Sequence, residues 1–134
     1  MSKPMIHARK SSEKFGGSPS DYIEIHQMMD ESKGHVADAR HRCIFHSSYG
    51  CFIIEDIFGF EITNSEGKNV SVRDIAEQHI LDDLGFIPSL EKYLSSMKLE
   101  LWMSLGIRIE EECRNNIKEE CINNIENKIG KIKR

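Results

Sequence analysis

Histidines and carboxylates recur at helical spacing in the first part of this 134-residue chain. Asp30 follows His26 by four residues, and Asp82 and Asp83 follow His79 by three and four. Residues three or four apart lie on one face of a helix, so each histidine can share a site with a carboxylate. Imidazoles and carboxylates are ligands of zinc and similar divalent ions. The spacing therefore indicates a buried polar site, for which a metal site is the simplest explanation. It does not indicate which reaction, if any, the site performs.

The candidate residues of this site fall into two groups. Four are expected to bind the ion directly: His26, Asp30, His46 and His79. Four others are expected as further ligands, as residues that orient the ligands, or as general bases: His35, Asp38, Glu77 and Asp83. The cofactor that we expect is a divalent metal, with zinc favoured. The zinc motif HExxH is absent from the sequence, so ordinary surface or hydrogen-bonded core histidines are the competing interpretation.

A candidate anion site lies in the Arg-His-Arg triplet, where Arg40 and Arg42 flank His41. A guanidinium group presents its donors in a fixed fork, which suits a phosphate or another oxyanion. The competing interpretation is a solvated surface on which Arg42 pairs with Asp38 at helical spacing. The triplet therefore predicts either an anion site or a surface ion pair.

Capping signals place His26 and Asp30 on one helix. Ser18 or Ser20 can cap this helix, and Gly34 can end it. The sequence pattern over residues 35–58 then predicts a long helix that can break at Gly50.

The apolar residues of that long helix predict which way its histidine side chains point. On one helix, His35 and His46 would share a face with Ile53 and Ile57. Because the isoleucines should point into the core, we expect the two histidines to point inward as well, where buried polar groups need partners.

A β-hairpin is predicted near 58–72, because alternating apolar residues flank the turn sequence Asn-Ser-Glu-Gly. Helix then resumes with Ser71 as its cap and Gly85 as its stop, and it carries His79. Ser89 opens a further helix that is expected to run to about residue 105.

The chain divides near Gly106, and we expect residues 1–106 to form a His-rich helical domain. Residues 107–134 predict an amphipathic helix that packs on this domain or makes a homo-oligomer or partner contact. Its apolar residues recur mostly four apart: Cys113, Ile117, Cys121, Ile125, Ile129 and Ile132. The expected fold class is therefore mainly α, a compact helical domain with one inserted β-hairpin and a long C-terminal amphipathic helix.

Composition narrows the classes of function. The net charge is −4, with 39% hydrophobic and 30% charged residues, which is ordinary for a globular protein and does not favour general nucleic-acid binding. No apolar run has the length of a membrane span, and the first residues lack the apolar stretch of a signal peptide. The four cysteines form no CxxC pair. We therefore expect a cytoplasmic protein with reduced thiols and no membrane partner.

Several strings in the sequence are specific enough to compare with a family. The block from Arg40 to His46, the turn ITNSEG, and EQHILDDLG followed by IPS resemble a family of short bacterial and phage proteins catalogued only as a domain of unknown function. The resemblance covers roughly His7 to Leu94. It implies one compact unit in which these motifs belong together, with the tail after Gly106 as an addition. It implies no enzyme activity.

Two functional interpretations follow. The favoured one is a small intracellular metal-binding accessory or binding protein, related to a phage or mobile element, that acts through a partner or a small ligand. The alternative is a metal-dependent phosphohydrolase or nuclease, in which the metal activates water and Arg40 or Arg42 holds the phosphate. Its ligand types are similar to those of the helical HD phosphohydrolases, but the chain has no His-Asp dipeptide. An open coordination position would indicate catalysis, whereas closure by four protein ligands would indicate a structural site.

Overall fold

The computed structural model of the protein describes residues 3–106. The predicted amphipathic helix of residues 107–134 lies outside this range. Residues 3–96 belong to one compact unit, and residues 97–106 belong to a second. Within the described range there are six α-helices and one antiparallel hairpin, which confirms a mainly helical fold: α1 (Pro4–Phe15), α2 (Ile23–Met29), α3 (Arg42–Phe45), α4 (Ser48–Phe58), β1 (Glu61–Thr63), β2 (Asn69–Ser71), α5 (Val72–Leu84) and α6 (Leu90–Leu94).

Helix α1 was not expected from the sequence. Proline occupies its first turn, where a missing N–H costs nothing, and Gly16 ends the helix with a φ of 87°. The buried residues of α1 are His7, Ala8 and Ser11. Because this face is small and polar, it gives no apolar stripe in the sequence, yet it brings His7 and Ser11 into the interior.

The predicted helix around His26 is present but interrupted. Ser18 caps a 3-10 turn at Pro19–Asp21 through a capping box with Asp21. Helix α2 follows, and its chain continues as a second 3-10 turn at Glu31–Gly34. Asp30 lies at the junction between them, so it follows the buried end of α2 directly.

The prediction of one long helix over residues 35–58 is wrong. The segment forms a 3-10 turn at Ala39–His41, the short helix α3, and then α4. Ser47 separates the two helices because its side chain caps α4, accepting a hydrogen bond from the backbone N–H of Gly50 at 3.0 Å. The shared face expected for His35 and His46 is therefore absent, and His35 is exposed while His46 is buried.

The hairpin and the helix after it agree with the sequence. Strands β1 and β2 pair in register from Glu61 opposite Ser71 to Thr63 opposite Asn69. Ser71 caps α5, and Gly85 ends it in the left-handed conformation. Ser89 caps α6 as expected, but α6 ends at Leu94, about ten residues before the predicted end.

Helices α1, α2, α4 and α5 pack around a common core. Each fully buried isoleucine in it contributes about 1.5–3 kcal/mol relative to exposure. The buried apolar residues are Ala8, Tyr22, Ile25, Met29, Cys51, Ile54, Val70, Val72, Ile75, Ala76 and Ile80. Among residues 3–106, no helix is long and apolar enough to cross a membrane. Helices α1, α2 and α5 each carry one buried histidine, namely His7, His26 and His79, which places the polar site beside the core.

Candidate metal centre

Four side chains from separate parts of the fold converge on one point. Asp30 follows α2, His46 lies between α3 and α4, and His79 and Asp83 lie four residues apart on α5. One ligand atom from each lies within 4.8 Å of all the others. We call these four residues the metal cluster, because their ligand atoms could hold one metal ion. Both histidine side chains are 0% exposed, and those of Asp30 and Asp83 are 7% and 3% exposed.

The distances in the metal cluster fit the ligand shell of one small ion. His46 Nε2 lies 2.9 Å from Asp83 Oδ2 and 3.6 Å from Asp30 Oδ1. His79 Nε2 lies 3.4 Å from Asp83 Oδ2 and 3.2 Å from Asp30 Oδ1. Four ligands that surround an ion tetrahedrally at about 2.0–2.1 Å are about 3.3–3.4 Å apart. The observed nitrogen–oxygen distances scatter around that value, and the two remaining pairs of ligand atoms lie within 4.8 Å.

The electrostatics of the cluster also suit a cation. Burial raises the pKa of a carboxyl group, but contacts with the surrounding histidines outweigh it, and the pKa values of Asp30 and Asp83 are both lowered. Burial lowers the pKa of His46. For His79, burial is outweighed by hydrogen bonds to Asp30 and Asp83, and its pKa is raised. Two buried carboxylates thus favour positive charge at the site, which either a protonated imidazole or a bound divalent ion could supply.

His26 is brought to the site behind His79. Its Nδ1 lies 2.8 Å from Nδ1 of His79, and its Nε2 lies 2.7 Å from Oγ of Ser11. If His79 binds a metal through Nε2, its Nδ1–H donates to His26 Nδ1, and the Nε2–H of His26 donates to Ser11. Burial, followed by the charges of His79 and His7, lowers the pKa of His26 to about 3. A neutral His26 is the form that this chain of hydrogen bonds needs, and it fixes the tautomer and orientation of His79.

His7 is a site residue that the sequence interpretation did not include among its candidates. Its ring stacks on the ring of His79 with the centroids 3.8 Å apart. Its Nε2 lies 3.2 Å from Asp83 Oδ1, the oxygen that is turned away from His46. Its Nδ1 lies 3.6 Å from Asp82 Oδ2. His7 therefore lies against the side of the Asp83 carboxylate that does not face His46. The signal for it would have been the four-residue spacing between His7 and Ser11.

His46 is anchored from the other side by α6. The hydroxyl of Tyr93 donates a hydrogen bond of 2.7 Å to the backbone carbonyl of His46. The chain needs this support because His46 lies at the break between α3 and α4, outside any regular helix.

The remaining sequence candidates lie apart from the metal cluster. His35 is exposed, and Glu77 is half-buried on α5. Asp38 caps the 3-10 turn before α3 and binds Arg40 through both carboxylate oxygens, with one contact of 2.6 Å. The predicted pairing of Asp38 with Arg42 is replaced by this pairing with Arg40. Arg42 itself is half-buried at the start of α3.

Comparison with known proteins gives one match. No curated protein and no solved structure is found to match this chain. The family model of a domain of unknown function, DUF6915, matches residues 2–103. The chain therefore belongs to this family, in agreement with the uncharacterised family that its motifs resemble.

Proposed function

We propose that this member of the DUF6915 family is a metal-binding protein in which one divalent transition-metal ion is held by Asp30, His46, His79 and Asp83. Zinc is the ion that we propose first, because it accepts two imidazoles and two carboxylates in a tetrahedral shell. The ion would stabilise a binding module that acts through a partner or a small ligand.

The observation that carries this proposal is the convergence of four ligand atoms at spacings of 2.9–3.6 Å between nitrogen and oxygen. They come from three separate segments of the chain. Hydrogen bonds alone leave the carboxylates of Asp30 and Asp83 close together in the interior, where each raises the cost of the other's charge. A divalent cation between them would offset this repulsion.

The ion would act as a cross-link between segments. Asp30 and His46 lie outside regular helix, at the end of α2 and between α3 and α4, whereas His79 and Asp83 lie on α5. Bonds from one ion to all three segments would fix the irregular ones against the regular one. Metal-binding free energy then becomes folding free energy, as in other small metal-binding domains.

Closure of the cluster favours a binding role over catalysis. A hydrolytic metal keeps a coordination position open to water and substrate, whereas a structural metal is surrounded by protein ligands. The side chains of the four proposed ligands are at most 7% exposed. This enclosure supports a metal that organises the fold.

The test is the metal content of full-length protein purified without a histidine tag, measured by elemental analysis before and after reconstitution with zinc, manganese or ferrous iron. About one equivalent per chain is expected, with loss of the metal in His46→Ala and His79→Ala. His35→Ala is the matched control, because His35 is exposed and lies outside the cluster. It should retain the metal.

Absence of metal from the reconstituted wild-type protein would refute the proposal, and so would equal loss from all three variants. Turnover of a phosphate ester by the loaded protein, abolished in His46→Ala without a change in melting temperature, would replace the binding role with the hydrolase interpretation.

A further inference from the structure

A second group of polar atoms lies beside the metal cluster, at the start of α3. His41 is 1% exposed, and neither of its ring nitrogens has a hydrogen-bond partner among residues 3–106. The Nε of Arg42 is also buried and has no partner in that range. Two neighbouring residues thus hold N–H donors in the interior without an acceptor.

Unpaired buried donors are costly, so a structure that keeps them usually pairs them with something outside the chain. Arg42 is half-buried, while His41 beside it is almost fully buried. A ligand with several acceptor atoms could pair donors on both residues.

The donors themselves indicate the sign of such a ligand. The guanidinium of Arg42 carries a full positive charge, and the neutral imidazole of His41 offers one N–H donor. An anion would accept from both groups and would also balance the charge of Arg42.

The two arginines of the Arg-His-Arg triplet differ in exposure and in their partners. The guanidinium of Arg40 is 85% exposed and is already bound to Asp38 through its Nε and one terminal nitrogen. Arg42 has its Nε buried and unpaired within the described residues. Arg42 is thus the arginine placed to bind a ligand.

The site adjoins the proposed ion. The rings of His41 and His46 meet edge to face with their centroids 6.3 Å apart, and Ser32 fixes the turn that carries His41 by donating a 2.8 Å hydrogen bond to its carbonyl oxygen. A metal that fixes His46 would therefore also fix one wall of the anion site.

We propose that His41 and Arg42 bind a phosphate-type oxyanion beside the metal centre, with the imidazole N–H of His41 and the guanidinium of Arg42 as its donors. The proposal rests on the proposed function and names its small ligand. Planar guanidinium groups bind tetrahedral oxyanions through paired hydrogen bonds, which Arg40 cannot offer while it is bound to Asp38.

The experiment is isothermal titration of the metal-loaded full chain with inorganic phosphate in phosphate-free buffer. Wild type should give a saturable isotherm with one site. Arg42→Gln should weaken binding about tenfold or more, since a hydrogen bond to a charged group is lost. Arg40→Gln, the matched control, should change affinity by less than about twofold, because exposed ion pairs contribute little.

His41→Asn provides a second variant if Arg42→Gln does not fold, and it should also weaken phosphate binding. Phenyl phosphate, titrated in parallel, distinguishes a phosphate ester from free phosphate as the preferred ligand. Tighter binding of the ester than of the free ion would support a phosphomonoester ligand, and weaker binding would support the free ion.

Equal effects of Arg42→Gln and Arg40→Gln would overturn the proposal, and so would the absence of a saturable isotherm for wild type. Metal content is measured on the same samples. Wild type that carries its metal and does not bind phosphate refutes the anion site alone. Wild type that carries no metal refutes the metal proposal, whereas phosphate binding that is lost in Arg42→Gln would still support the anion site.

Discussion

Metal addition should raise the thermal stability of the protein, and the structure sets the size of the effect. A ligand that binds only the folded state at one hundred times its Kd stabilises by about 2.7 kcal/mol. The cluster qualifies because its four ligands come from three segments that are held together only in the folded chain. For a body the size of residues 3–96, each kcal/mol shifts Tm by about 4–8 °C. The expected increase is therefore about 10–20 °C.

Two adjacent aspartates give the control. Asp83→Asn removes a proposed ligand, so the variant should lose most of the increase in Tm. Asp82→Asn changes the neighbouring residue in the same way, but Asp82 accepts a 2.8 Å hydrogen bond from Gln78 and lies outside the metal cluster. It should retain the increase.

The assay is differential scanning calorimetry of the full chain with a chelator and with each metal in excess. Equal increases for the two aspartate variants would refute the assignment of Asp83 as a ligand. No increase for wild type with any divalent metal would refute the idea that the ion cross-links the fold.

Three further predictions concern pH and packing. The pKa of His26 is lowered to about 3, so below pH 6.5 the unfolded chain binds a proton at this residue and the folded chain does not. The unfolding free energy of the metal-free protein should therefore fall by about 1.4 kcal/mol per pH unit between these two pKa values. In urea unfolding, the free energy of His26→Gln should depend less steeply on pH. The pKa of His79 is raised, so protons compete with the metal, and affinity measured by competition with a chelator should rise by up to about tenfold per pH unit until that pKa is passed; an affinity independent of pH would argue against His79 as a ligand. A side chain at Gly50 would collide with the carbonyl oxygen of Phe45; Gly50→Ala should therefore lower both the unfolding free energy and the metal affinity through displacement of His46, and Gly34→Ala, where nothing lies within 4 Å, should leave metal affinity unchanged.

Local signals predicted the elements that carry His26 and His79. Ser71 and Gly85 act within a few residues of themselves, so their capping roles can be read from the sequence and are found in the structure. Ser18 also acts as a cap, but of the 3-10 turn that precedes α2 and not of α2 itself. The hairpin was predictable for the same reason, since its turn residues determine the local backbone.

The segment around His46 was not predictable from periodicity. Apolar spacing over residues 35–58 is compatible with one helix, but Asp38 and Ser47 bond to backbone N–H groups and start new turns instead. Helix α1 was missed for the opposite reason, because its buried face consists of His7, Ala8 and Ser11 and presents no apolar stripe.

The composition of the site was predictable in type, while its exact partners depended on tertiary structure. Asp30, His46 and His79 were expected as ligands and meet in the metal cluster. Asp83, expected as a further ligand, an orienting residue or a general base, also joins the cluster, while His26, expected as a ligand, lies behind His79. Helical spacing shows which residues share a face, but only the packing of α2 against α5 decides which atoms meet.

X-ray absorption spectroscopy of the metal-loaded protein tests the central claim most directly, because it reports the atoms bound to the ion. The account predicts two imidazole nitrogens and two oxygens at about 2.0–2.2 Å, and the exposed control His35→Ala should give the same spectrum. Sulfur neighbours at about 2.3 Å, or a shell that lacks two imidazoles, would contradict it.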